Sequence, residues 1–545
     1  MGNKFREWKG MSLEDPKDFD ALKSILERNR GFQGVDTLDY GDHGLLQVIE
    51  AVSEAIRTNQ RIGLYSDYDV DGTMSCVSWI WFFQAIGFDN YTHYIPCRFK
   101  EGYGLNLDAM KLLIDEEKVE LIITMDTGIT ANAEAAYCIE RGVKFICTDH
   151  HSIQPDKMPD CIILNPKFHP DENYQELCGC GITFVLLRKL GMDFSIPPSV
   201  WTDILALTGM ATICDIVPLN GVNHKLAKMG VAAVMRSQRP VLKKLREACS
   251  ALKGIDEKDV GFRLGPRINA VGRLEHADYV IQAFVHENPD QLINFMEKCN
   301  EKRKLLQDKI VKEARKKALE SPDSPILFLG GDWHPGVVGI AASKIAEEFW
   351  CPVWLFQKKD GQCKGSARSI PNFDVTKCMG AADQHFLKYG GHKAAGGYTF
   401  EESEEENIRK LMTEYASKIK ENSPELWVSQ ISYDCHLPQS LMNLSLTDSL
   451  DALKPFGHGF EEPRFCVDAE ILKTQFYNDK STGKPRHTAV TIQGEFGEAY
   501  KVMFFNEVHE ELMETSNALF LVSATRNTFR GSTSLSLMGH DFEVS

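Results

Sequence analysis

Long apolar runs are absent. No stretch approaches the roughly 20 residues that a membrane-spanning helix needs. The opening residues, MGNKFREWKGMSLEDPKDF, lack the apolar segment of a secretory leader. Gly2 is not followed by the Ser or Thr that N-myristoylation prefers. No two cysteines have Cys-x-x-Cys spacing, which argues against a zinc ribbon; the nearest pair is Cys178 and Cys180. The 15 cysteines are an odd number and otherwise scattered singly, as expected of reduced thiols in a cytoplasmic protein. Positive net charge is missing as well. The formal charge of −16 argues against a generic polyanion binder but leaves room for a local basic groove. There is no internal repeat or low-complexity tract, and EESEEE (401–406) reads as a solvated loop or helix start.

What is present is an ordinary globular composition, 43% apolar and 25% charged. A chain of 545 residues exceeds one core and implies three or four domains. Residues 1–45 have mixed charge and little periodicity and read as a peripheral segment. From 46 to 288, helical patterns alternate with the short apolar runs RIGLYSD (61–67), VELIITMD (119–126), VKFICTD (143–149) and CIILNP (161–166). This is the βαβ signature of a doubly wound parallel sheet. Residues 289–320 predict one long connecting helix, with apolar residues at Leu292, Met296, Cys299, Leu306, Ile310 and Ala314. A second, smaller α/β domain follows at 321–425, and Gly-punctuated β runs at 426–545 predict a small β-barrel.

Three of the four apolar runs of the first domain end on an acid: Asp67, Asp126 and Asp149. A single aspartate at a strand end is usually a turn former or a helix cap. Three of them, beside the DYDVDG cluster (Asp67, Asp69, Asp71) and the pair His150–His151, point to a ligand site at the carboxyl edge of the sheet. Gly72 supplies the freedom for a tight turn into the next helix. Asp215, after an apolar helix, adds another carboxylate. Oxygen-rich ligation with one or two histidines suits Mn²⁺ or Mg²⁺. There are enough carboxylates for two ions, the usual device for phosphodiester hydrolysis.

The motifs DYDVDG, MDTG, DHH and the later Asp215, in this order, resemble the DHH phosphoesterase superfamily. Within it, GFRLGPRINAVGRLEHAD (261–278), GGDWHPGVVGIAASKIAEEF (330–349), GSARSIPNFDV (365–375), KYGGHKAAGGYTF (388–400) and KPFGHGFEEPRF (454–465) resemble the RecJ family of single-strand-specific exonucleases. The resemblance runs from about residue 45 to the C-terminus. It implies a DHH-type catalytic domain (46–288), a connecting helix (289–320), a DHH-associated substrate-binding domain (321–425) and an OB-fold domain (426–545). It implies Asp67, Asp69, Asp126, His150 and Asp215 as ligands of two Mn²⁺ or Mg²⁺ ions, with Asp126 bridging. His151 would face the scissile phosphate. Asp149 would orient a histidine, and Asp71 would be an outer ligand or fix the turn.

Arg267, Asn269 and Arg273 in GPRINAVGR, and Ser366, Arg368 and Ser369 in the second domain, suit phosphate binding. Gly390, Gly391 and His392 could form a turn whose N–H groups cradle a phosphate. His334 is either a further substrate contact or a buried turn histidine. Between Arg263 and Lys317 there are 12 Lys and Arg against eight Asp and Glu, a local excess suited to single-stranded polynucleotide and in part a solvated helix face. In the barrel, Phe456, Phe460, Phe476, Tyr477, Phe529 and Arg530 are the candidates for base stacking, most of them expected in the core. Phe460 and Glu461 replace the Asn and Pro usual in the family, and Phe529 stands in place of an expected Trp.

The resemblance alone implies a 5′-to-3′ exonuclease on single-stranded DNA that releases mononucleotides in recombination and repair. The expectation is further a cytoplasmic monomer, off the membrane, with a single-strand-binding protein or a helicase as candidate protein partners. Nano-RNases and cyclic-dinucleotide phosphodiesterases of the superfamily are the alternative, but they are shorter and usually lack the long helix and OB domain. A non-catalytic replication scaffold would have lost metal carboxylates, and here every one is present.

Overall fold

Ile62–Ser66 is buried throughout, as the strand of a parallel sheet covered on both faces must be. It belongs to a five-stranded, wholly parallel sheet with the order Tyr91–Tyr94, Ile62–Ser66, Leu121–Met125, Lys144–Thr148, Ile162–Leu164. The edge strand Tyr91–Tyr94 extends the four strands read from the sequence. Its residues are half-buried and largely polar, so no apolar run marks it. Helix Val70–Ile86 packs behind the sheet and is buried from Val70 to Phe83, which explains its lack of a polar face. The computed structural model describes residues 7–35, 37–251, 254–479, 481–495, 497–529 and 531–544.

The long helix spans Asp290–Ala318, about 44 Å at 1.5 Å per residue. It buries Met296, Ile310 and Ala314 and packs against helix Gly265–Leu274 on one side and helix Pro335–Phe349 on the other. One hydrophobic core therefore runs from the catalytic sheet through the long helix into the second domain. That domain is built on a mixed sheet. Leu327–Gly331 and Val353–Lys359 pair in parallel, and Gln362–Arg368, Ala395–Glu401 and Lys388–Gly391 add antiparallel strands.

The C-terminal barrel orders its strands Phe465–Asn478, Pro485–Gln493, Ala499–Phe504, Ser532–Val544, Asn517–Phe529, and pairing of the last with the first closes it. Five strands with one parallel pairing, Ala499–Phe504 against Ser532–Val544, make an OB fold. Its core also takes in Leu22, Ile25 and Leu26 of helix Phe19–Asn29. The N-terminal strand Glu7–Gly10 pairs in parallel with Gln430–Tyr433, and Arg30 forms a buried two-pronged ion pair with Asp434 at 2.6 and 3.0 Å. The N-terminal segment thus packs on the last domain in sequence. Among the described residues, no helix is long and apolar enough to cross a membrane.

Candidate metal centre

Pairing of Ser66 with Met125 and of Met125 with Thr148 is in register, so the residues that follow, Asp67, Asp126 and Asp149, emerge side by side at the carboxyl edge of the sheet. The chain turns sharply there. Asp126 has φ of 60°, a left-handed conformation that costs a non-glycine residue about 1–3 kcal/mol. Its N–H, bonded to the carbonyl of Thr148 at 3.0 Å, helps to hold it.

Asp69 caps helix Val70–Ile86, accepting from the N–H groups of Asp71 at 2.8 Å and Gly72 at 3.2 Å. Asp71 is buried in the first turn. Its carboxylate accepts from the N–H groups of Gly179 (2.5 Å) and Cys180 (2.7 Å), the first residues of helix Gly179–Leu190. One carboxylate thus joins the N-termini of two helices. Gly72 does not form the tight turn expected of it; it lies inside the helix, where a Cβ would stand 2.5 Å from the carbonyl oxygen of Asp67. A Cβ on Gly179 would stand 2.7 Å from that of Asp126. Gly72 thus lets its helix approach the backbone of Asp67, and Gly179 lets its helix approach the side chains of Asp126 and Asp71.

Ligand atoms converge in three groups, each within 4.8 Å: Asp67, Asp69 and Asp126; Asp126, His150 and His151; Asp71, His150 and Asp215. Asp126 and His150 each belong to two. Nε2 of His150 lies 3.0 Å from Oδ1 of Asp126 and 3.5 Å from Oδ2 of Asp215, the residue that ends helix Pro198–Cys214. Burial first, and neighbouring carboxylates second, push Asp67 and Asp126 well above their ordinary range, Asp71 to about 7 and Asp215 to about 9. Burial, reinforced by His151, drives His150 down to about 3 and keeps it neutral. Oδ1 of Asp67, Oδ1 of Asp126 and Nε2 of His150 are buried with no hydrogen-bond partner. Converging buried acceptors with nothing to accept from are suited to divalent cations, and this oxygen-rich set with imidazole fits Mn²⁺ or Mg²⁺.

His151 differs from His150. Its Nδ1 lies 2.7 Å from Oδ1 of Asp149, whose Oδ2 accepts from the N–H of Ile129 at 2.9 Å. Burial opposes charge on both, but their mutual hydrogen bond prevails, raising His151 and lowering Asp149. The hydroxyl of Tyr103 approaches the other nitrogen of His151 at 3.1 Å.

Beside the carboxylates lies a cationic cluster. Arg273 is brought down to about 10 by burial and then by Arg98 and Arg368. Arg368 is lowered by burial and by Arg98. Arg368 donates to Oγ of Ser366 (2.7 Å) and of Ser343 (3.1 Å), and Arg98 lies over the ring of Tyr68 at 5.0 Å. Among the described residues, none of the three arginines has a carboxylate within ion-pair distance. Guanidinium groups with no carboxylate at ion-pair distance suit an anion. Arg98 and Tyr103 were not singled out from the sequence. The available signal was the basic, aromatic and glycine-rich composition of CRFKEGYG (97–104).

The remaining candidates are dispersed. Arg267 is turned inward, its guanidinium engaged by Glu297 and by the carbonyls of Arg263 (2.8 Å) and Ala248 (3.1 Å). Asn269 accepts from the N–H of Val70 at 3.2 Å and so touches the helix of the DYDVDG motif. His334 caps helix Pro335–Phe349 and stands edge-on to Phe99. Ser369 donates to the carbonyl of Phe373 at 2.7 Å. Gly390 and Gly391 pair with Gly397 and Gly396 in a hairpin whose tip includes His392, with the N–H of His392 bonded to Ala395. In the barrel, Phe456 and Phe460 are core, Phe476 is half-buried and Tyr477 is exposed. Arg530 and the side chain of Phe529 lie outside the described residues. An open cavity of about 860 Å³ on the barrel is lined by Tyr477, Lys501 and the exposed Phe505, with Lys501 over the Tyr477 ring at 5.2 Å.

A parallel sheet with carboxylates and a His pair converging on its carboxyl edge, followed by a second α/β unit and an OB barrel, defines a phosphoesterase of the DHH class. Residues 61–212 match the DHH family N-terminal domain, 323–418 the DHHA1 domain and 433–541 the RecJ OB domain. The chain belongs to the RecJ family of single-stranded-DNA-specific exonucleases. RecJ of Bacillus subtilis is 30% identical over 550 residues, covering 98% of this chain and 68% of the relative. RecJ of Salmonella typhimurium is 30% identical over 88% of each chain. Among solved structures, RecJ from Thermus thermophilus in complex with Mn²⁺ matches with a TM-score of 0.81 at 25% identity, over 96% of this chain and 76% of that one. An exonuclease RecJ bound to manganese matches at 0.62 and 30% identity, over 69% and 94%.

Proposed function

We propose that this chain is a metal-dependent exonuclease that degrades single-stranded DNA from 5′ to 3′, releasing 5′-mononucleotides in recombination and repair. The observation that carries the proposal is the trio of partnerless buried atoms, Asp67 Oδ1, Asp126 Oδ1 and His150 Nε2, beside Arg98, Arg273 and Arg368, which have no carboxylate at ion-pair distance among the described residues. Asp67, Asp69, Asp126, His150 and Asp215 would hold two Mn²⁺ or Mg²⁺ ions. Bound there, the ions supply positive charge that polarises the phosphodiester and lowers the pKa of the attacking water.

The protein's own groups do the rest. His151, held through Nδ1 by Asp149, presents Nε2 to the scissile phosphate, which takes the place of the Tyr103 hydroxyl there. Asp71 ties the DYDVDG helix to helix Gly179–Leu190, and Asn269 ties it to the helix of GPRINAVGR. Arg98, Arg273 and Arg368, with Ser366, grip a terminal phosphate while the next linkage is cut, which yields mononucleotides. The second domain, 321–425, supplies Arg368 to this grip. The barrel, 426–545, guides the strand over Tyr477, Lys501 and Phe505, where sequence-tolerant stacking suits a nuclease. The enzyme works as a cytoplasmic monomer, with a single-strand-binding protein or a helicase delivering the strand.

The test is degradation of single strands labelled at one end or the other, with Mn²⁺ or Mg²⁺, against duplex and RNA controls. Early release of the 5′ label as a mononucleotide is expected. Release from the 3′ end, or no degradation, would refute the proposal.

A further inference from the structure

Directly after Asp215, Ile216 has φ of 61°, a conformation that is a genuine outlier for a β-branched residue. Its side chain is 67% exposed. Facing the same cavity, Phe262 is 81% exposed and sits on a π-helical turn, Val260–Leu264. Such turns are rare and recur at functional sites. The two segments are locked together, because Sγ of Cys214 reaches the carbonyl of Val260 at 3.9 Å and a Cβ on Gly265 would lie 2.3 Å from that sulfur. Two irregular backbones, fixed against each other, therefore hold two large apolar side chains in solvent next to a candidate metal ligand.

The cavity they border, about 520 Å³, also contains Arg273, Arg303 and the edge of Phe456. Arg303 is taken up by Gln307 (2.8 Å) and Asn300 (2.5 Å), and neither it nor Arg273 has a carboxylate partner among the described residues. Glu257, the acid in the lining, is itself buried. Guanidinium groups with no carboxylate partner among the described residues, beside exposed apolar side chains, suit an occupant that is both polyanionic and rich in flat apolar surface. Single-stranded nucleic acid has that chemistry. The cavity takes in Cys214 and Ile216, the residues on either side of Asp215 in the chain, and reaches Phe456 and Gly457, which precede the barrel.

We propose that Ile216 and Phe262 form an apolar clamp on the nucleobases of the strand between the barrel and the metal centre, and so set the dependence of turnover on strand length. The inference rests on the exonuclease function proposed above. A base gripped here lies beyond the cut, so the clamp holds the remaining strand in place and leaves the reacting groups untouched.

The test compares wild type with Phe262→Ala and Phe262→Trp on oligonucleotides of increasing length, starting from a dinucleotide. Phe262→Ala should lower kcat/KM on long strands roughly tenfold, the scale of one lost base–aromatic stack, through KM. It should leave the dinucleotide unchanged, and Phe262→Trp should restore the long-strand rate. In parallel, strands carrying 2-aminopurine at successive positions are titrated in EDTA, which requires no cleavage. Quenching at one internal position is expected in wild type and Phe262→Trp but not in Phe262→Ala. Equal loss on all lengths, or unchanged rates and quenching in Phe262→Ala, overturns the clamp. So does self-association of the wild type that Phe262→Ala abolishes, which would make this face a dimer surface. If wild type cleaves no strand but the quenching pattern appears, the clamp stands and the nuclease function fails.

Discussion

Nε2 of His150 lies 3.0 Å from Oδ1 of Asp126, and neither atom has a hydrogen-bond partner. Burial keeps the imidazole neutral and raises the carboxyl. A cation resolves the conflict, because both atoms can then donate electron pairs to it. Asp126→Asn keeps the shape and removes the shared charge. Its turnover with Mn²⁺ should fall by more than the 10- to 100-fold typical of losing an outer partner. Steady-state cleavage of a labelled single strand measures this, with circular dichroism to check the fold.

Gly179 offers a steric test of the same centre. Its missing Cβ leaves room for Asp126, whose own Cβ would be 2.7 Å away. Gly179→Ala should cost about 1–3 kcal/mol, as overpacking does, and weaken Mn²⁺ affinity more than it changes helix content. Isothermal titration with Mn²⁺ and a thermal melt separate the two effects.

The metal should stabilise the fold in a pH-dependent way. Asp71 at about 7 and Asp215 at about 9 are raised above their unfolded range. Ionising a raised carboxyl destabilises the fold, so in metal-free protein these groups cost stability progressively as pH climbs from the ordinary carboxylate range to about 9. Bound cations cancel that cost. His150 acts at the acid end, where its lowered value of about 3 makes protonation costly once pH falls below the ordinary imidazole range. The gain in Tm on adding Mn²⁺ should therefore grow from mildly acid to alkaline pH, with protons released on binding. Melts across pH, with and without EDTA, measure it.

Arg273→Lys keeps a charge but loses the planar fork. Arg98 and Arg368 act on it and no carboxylate lies at ion-pair distance among the described residues, so the proposed role of Arg273 is to meet an anion. KM should rise for single strands with a 5′-phosphate more than for strands without one. Arg273→Gln should in addition flatten the salt dependence of binding by about one unit of slope.

On the barrel, Phe505→Ala removes an exposed ring beside Tyr477 and Lys501. Binding of long single strands should weaken, by about 1–3 kcal/mol if one base stacks there, while strands too short to reach the barrel are unaffected. Fluorescence anisotropy on two lengths of strand measures it.

The strands carrying Asp67, Asp126 and Asp149 were legible because each is an unbroken apolar run ending in an acid, and a parallel sheet aligns such ends without further information. Tyr91–Tyr94 was not legible, because a half-buried edge strand has no need of an apolar run. Nor was Arg267 as an inward-facing side chain, because its partner Glu297 is brought close by folding of the long helix. Gly72 read as a turn glycine because sequence shows a missing side chain but not what lies against it. Phe456 and Phe460 could not be told from stacking residues until the N-terminal helix was seen to share their core. Phe505 follows a strand whose exposed side only the closed barrel defines.

The most direct test of the two-cation centre is anomalous diffraction at the manganese edge from crystals of this chain soaked in Mn²⁺. Two peaks are expected at the carboxyl edge of the parallel sheet, one beside Asp67 and Asp69, the other beside His150 and Asp215, with the carboxylate of Asp126 between them. Absence of both peaks, or a single peak that leaves Asp126 uncoordinated, would contradict it.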